Sequence, residues 1–63
     1  MMLNLKDIEM IGKSYKIENA SDPSKIGFIG RVIFITNDEI VFDDSQKIFK
    51  IKKNEIIKLK KIM

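Results

Sequence analysis

Sixty-three residues carrying thirteen Ile and four Phe leave room for one small domain, residues 1–63, and no second. Cysteine and histidine are both missing, which excludes disulfides, Cys/His metal sites and the usual acyl-transfer nucleophile–base pairs. The net charge of +3 conceals an asymmetry: residues 1–46 hold five basic against eight acidic side chains, net −3, and residues 47–63 hold seven lysines against Glu55, net +6. A basic segment on a near-neutral body points to a polyanion partner or to a solvated edge strand guarded by lysines.

No apolar run approaches the ~20 residues of a membrane helix, and Lys6, Asp7 and Glu9 interrupt any leader-like stretch at the start. The expectation is a cytoplasmic, non-membrane protein. In the first twelve residues Leu5, Ile8 and Ile11 recur about once per helical turn, after a candidate cap at Asn4 and before Gly12. A helix this short needs a surface to lie on. It serves either as a lid on a barrel mouth or as half of a docking surface.

A first strand is expected over Lys13–Asn19, with Tyr15 and Ile17 on one face and Lys16 and Glu18 on the other. Ala20–Lys25, interrupted by Pro23, reads as a polar loop. The organising stretch follows, GFIGRVIFITNDEIVF from Gly27 to Phe42. Two β-branched and aromatic runs flank Asn37-Asp38, a pair that tolerates positive φ, so the expectation is a β-hairpin. Gly27 and Gly30 offer a bend or a close backbone approach in its first arm. Strict alternation sets Val32 and Phe34 on one side and Ile29, Ile33 and Ile35 on the other. With both faces apolar, the outer one calls for a cover.

In the second arm Ile40 and Phe42 alternate with Val41 and Asp43. Asp43–Gln46 is a turn, Lys47–Lys52 a strand with Phe49 and Ile51 inward, and Lys53-Asn54-Glu55 a one-turn break. The last strand is Ile56–Lys60, with Ile57 and Leu59 inward. The fold class expected is all-β, a small five-stranded SH3-like or Sm-like barrel with a short N-terminal helix or turn.

Catalysis lacks its parts: no Gly-rich loop opens a helix and no nucleophile–base pair is available. Asp38, Glu39, Asp43 and Asp44 could ligate a hard cation, but turn carboxylates are usually solvated. No metal, cofactor or small-molecule substrate is expected. The lysines carry more meaning. Lys47, Lys50, Lys52, Lys53, Lys58, Lys60 and Lys61, taken as lying on adjacent strands, would form a dense positive stripe able to neutralise phosphates without reading sequence. The Phe residues read as core, so base stacking finds little support, and structured RNA or, alternatively, duplex DNA is the expected ligand.

The order Met10-Ile11-Gly12, a strand with Tyr15–Ile17, a loop, Gly27-Phe28-Ile29-Gly30-Arg31-Val32, Thr36, Ile40 and Lys53 resembles protein component 1 of archaeal ribonuclease P, an Sm-like barrel subunit. The likeness runs over most of Leu5–Leu59. The chain departs from that family at Ile8, where the family has His, at Ile35, where it has an acid, and at Lys52, where it has Pro.

The resemblance implies a non-catalytic accessory subunit that supports an RNA enzyme in 5′ maturation of precursor tRNA, beside a second protein subunit. It makes Lys13, Lys16, Arg31, Lys50, Lys52 and Lys53 candidates for RNA backbone contact, and Leu5, Ile8, Ile29 and Ile33 candidates for the protein partner. Against it stand a protein–protein adaptor using the outer face of the central strand, a DNA-binding barrel, and a self-associating Sm-like ring.

Overall fold

The computed structural model describes residues 5–62, with side chains from Asp7 onward. Helix α1, Leu5–Met10, precedes five strands: β1 (Ser14–Ala20), β2 (Ile29–Ile35), β3 (Glu39–Asp43), β4 (Ile48–Lys52) and β5 (Ile56–Lys61). Single 3-10 turns lie at Pro23–Lys25 and Lys53–Glu55. The five-stranded, all-β expectation with a short N-terminal helix holds. The Asn4 cap lies outside the described residues, as does the side chain of Leu5.

All strand pairs are antiparallel, in the order β4-β3-β2-β1-β5. The two edge strands, β4 and β5, form no ladder with each other, so the barrel is not sealed. Yet only three residues, Lys53–Glu55, join those opposite edges. So short a connection forces the sheet to roll until its edges approach at that end.

The turn Lys53–Glu55 is tied down on both sides. The Lys53 N–H donates to the Asp38 carbonyl (2.7 Å), and the Ser21 N–H donates to the Glu55 carbonyl (2.8 Å).

Inside the roll sit Ile17, Ala20, Val32, Ile35, Ile40, Phe42 and Ile51, all buried. Met10, Tyr15, Phe28, Phe49, Ile56 and Leu59 pack round them. Phe49 stacks on Phe42 (5.5 Å between ring centroids) and on Phe28 (4.6 Å), so the inner face of β4 meets the residue leading into β2. Gly30 has a packing reason to be glycine: a Cβ there would stand 3.1 Å from the Phe42 Cβ. Gly27, with φ +96°, instead serves the loop before β2.

Two expectations about facing fail, each for a local reason, and the hairpin turn closes by a device of its own. The hairpin turn at Asn37-Asp38 forms, but neither residue has positive φ. Instead the Thr36 hydroxyl accepts from the N–H groups of Asp38 (3.3 Å) and Glu39 (3.0 Å), a side-chain turn that needs no left-handed backbone.

In β2, Val32 faces Phe42 whereas Phe34 faces Val41, so a bulge at Ile33 breaks the alternation. Val32 and Ile35 are both buried, Phe34 is 51% exposed, and Ile33 is half-buried. Ile33 and Ile35 therefore do not share the outer face with Ile29. In β5, register shifts against β1 between Ile17 and Ala20 put Ile56 and Leu59 inward and leave Ile57 63% exposed.

Helix α1 is anchored to the roll by its C-terminal end. Met10 packs on the core, and the Gly12 N–H donates to the Val32 carbonyl (2.7 Å). Asp7 ion-pairs with Lys53 (3.3 Å), joining the helix to the β4–β5 connection. Ile8 and Ile11 are exposed.

Candidate nucleic-acid interface

The lysine stripe expected on adjacent strands does not form, because β4 and β5 are opposite edges of the sheet with three strands between them. The cations divide into two groups. Cross-strand partners share a face, so the ladders show which side chains meet.

On one side, Lys16 of β1 lies opposite Lys60 of β5 and, across its other edge, opposite Ile29 of β2. Ser14 lies opposite Arg31 in the next outward row. Lys16, Ile29, Arg31 and Lys60 are all exposed. Glu18 pairs with Lys58 (3.7 Å). Among the described residues neither Lys16 nor Lys60 has a carboxylate at ion-pair distance.

On the other side, Lys50 lies opposite Val41 and Lys52 opposite Glu39. Both are exposed on the β4 edge. Lys53, expected at the phosphate contact, is held in its pair with Asp7. Lys13 sits at the α1–β1 junction, where its carbonyl accepts from the Val32 N–H (2.9 Å), and is half-buried.

The structure thus joins Lys16 to Arg31, and Lys50 to Lys52; Lys53 lines one cleft with Lys52 but is tied to Asp7, and Lys13 lies at the α1–β1 junction. Lys60, expected in the stripe of β4 and β5 but not among the six candidate RNA contacts, stands instead with Lys16. Its position opposite Lys16 depends on the β1–β5 register, which no spacing within one strand reveals.

Among the apolar candidates, Ile29 is 53% exposed in the midst of the Lys16–Lys60–Arg31 group, and Ile8 is 52% exposed on α1. Ile33, in the bulge, does not join them.

Compared with known proteins, the chain matches no family model, no curated protein and no solved structure.

The acids do not converge. Asp43 accepts from the Ser45 N–H (2.9 Å), and Asp44 from the N–H groups of Gln46 and Lys47 (both 2.9 Å), so each serves its own turn. Those backbone donors hold the Asp44 carboxyl below its ordinary range. Asp38 and Glu39 lie at the other end of β3, and among the described residues no three acidic groups could hold a metal ion. No helix among them is long and apolar enough to cross a membrane.

Beside Arg31 a cleft of ≈ 360 Å³ is lined by Ser14, Ile29, Gly30, Asp43, Asp44 and Ser45. It is shallow and open, and it joins the cationic group to the β3–β4 turn. The outer face of β1, β2 and β5 offers exposed ammonium and guanidinium groups around Ile29, with Glu18 and Asp43 at its margins. Such a surface can neutralise phosphates.

Proposed function

We propose that this protein is a non-catalytic RNA-binding domain that holds a phosphate backbone on the outer face of β1, β2 and β5. The carrying observation is the register that sets Lys16 directly opposite Lys60. Like charges in that position destabilise a sheet, and an anion lying between them removes the cost. Arg31, on the same face, extends the site along β2. The resemblance to the ribonuclease P protein makes structured RNA the first ligand to test and an accessory role in precursor-tRNA maturation the first biological one. Duplex DNA is the nearest rival, since ammonium groups alone do not distinguish the two.

The test is a salt titration of binding to a folded RNA, to a DNA duplex of equal length, and to a Lys16→Gln/Lys60→Gln variant. Loss of two phosphate contacts should lower the slope of log affinity against log salt by roughly 1.4–1.8. Absence of binding at low salt, or an unchanged slope in the variant, would overturn the proposal. A protein partner lying over Ile8 and Ile29 is the second reading, supported by the exposure of both. Ile29→Ser would weaken that contact and leave the salt slope unchanged.

A further inference from the structure

A chain that alternates strictly through β2 would bury Phe34. Instead the bulge at Ile33 restores burial to Ile35 and turns Phe34 out, 51% exposed, on the face that carries Arg31. Bulges that re-aim one side chain recur beside functional sites.

The surroundings of Phe34 narrow what it could meet. Val41 lies directly opposite on β3, and Lys50 lies opposite Val41 on β4. Lys50 is thus two strand spacings from Phe34, roughly 10 Å between backbones and within reach of a lysine side chain spanning Val41. Arg31 lies three residues back along β2, facing the same way. Two acids share this face of β3, Asp43 opposite Arg31 and Glu39 opposite Lys52; neither lies opposite Lys50, and Asp43 also accepts from the Ser45 N–H.

An exposed ring with an apolar neighbour and a cation on each side suits a base with its flanking phosphates. It does not suit a plain aliphatic partner, which would offer Lys50 no anion.

We infer that Phe34 is a base-stacking platform, and that the nucleic acid held on this face is unpaired at that point. The base lies on the Phe34 ring, and the adjoining phosphates lie against Lys50 and Arg31. Every base has a π-face, so the site tolerates any of the four. The inference rests on the polyanion reading above and adds to it the class of ligand, a single-stranded segment such as a loop or bulge in a folded RNA.

The experiment measures fluorescence anisotropy of three labelled probes at low salt: a single-stranded RNA of about 10 nucleotides, a strand of equal length and charge whose central nucleotides lack bases, and a blunt RNA duplex. The unmodified protein should prefer the base-bearing strand over the abasic one by roughly 5- to 150-fold. Phe34→Ala should erase that preference and leave the affinity for the abasic strand unchanged, while Phe34→Trp should keep it. Because Phe34 is exposed, Phe34→Ala should fold, which circular dichroism checks.

Equal affinity for the base-bearing and abasic strands, tighter binding to the duplex, or a preference surviving in Phe34→Ala would overturn the stacking site while leaving the polyanion reading standing. Failure to bind any of the three probes would overturn both.

Discussion

The Lys25 ammonium lies 2.9 Å from Glu55 Oε1, linking the β1–β2 loop to the β4–β5 connection across thirty residues of sequence. The contact helps hold the sheet in its roll, because Glu55 belongs to the three residues that join the two edges. The bond to Lys25 lowers the Glu55 pKa, and the bond to Glu55 raises that of Lys25.

Stability should therefore follow the titration of this pair. A depressed Glu55 contributes stability above its ordinary range, and the contribution is lost as pH falls through its folded value. Asp22 and Asp44, lowered by hydrogen bonds from Ser24 and from the Gln46 and Lys47 N–H groups, act in the same direction. Lys25 contributes below its ordinary value and loses that contribution as pH rises through its raised one. Thermal melts should thus fall below about pH 4 and again above about pH 10.5. Glu55→Gln should flatten the acid limb; an unchanged limb would remove the pair from the account.

Gly30→Ala tests the close approach at the sheet's centre. The added Cβ meets the Phe42 Cβ at 3.1 Å, and Phe42 is buried and stacked, with little freedom to give. A loss of about 1–2 kcal/mol is expected, a drop in Tm of several degrees for a domain this small. Calorimetry measures it directly.

Phe42 itself should be indispensable. It is 1% exposed, lies across from Val32 and stacks on Phe49. Phe42→Ala should cost about 3–5 kcal/mol, comparable to the whole stability of a small core. The far-ultraviolet circular dichroism of that variant should be that of an unfolded chain at 25 °C.

Lys60→Glu separates stability from binding. Replacing the like-charged neighbour of Lys16 with an opposite charge should stabilise the fold by a few tenths of a kcal/mol. It should also weaken RNA binding. A variant that gains thermal stability and keeps its affinity would show that the Lys16–Lys60 pair does not serve the ligand.

Much of this was legible along the chain. Each strand was bounded by a recognisable break: Gly12, the Pro23 loop, Asn37-Asp38, the Asp43–Gln46 turn and Lys53–Glu55. Short-range alternation placed Phe49, Ile51 and Leu59 inward, where they lie in or against the core, and separated Ile40 and Phe42 from Val41 and Asp43. Such signals depend only on neighbours a few residues apart, so the sequence alone determined the number, order and type of the elements.

Which strands lie side by side, and where a ladder slips, were decided by tertiary structure. The lysines of β4 and β5 are close along the chain yet lie on opposite sheet edges, because β5 finds its partner in β1. Phe34 turned outward because burying both Val32 and Ile35 demanded a bulge in one ladder, and Ile57 because shifts in another set Ile56 and Leu59 against the core. Period-two alternation cannot foresee which strand lies alongside, which set Lys60 opposite Lys16, nor a slip that only the partner strand imposes, which turned Phe34 onto the face of Arg31.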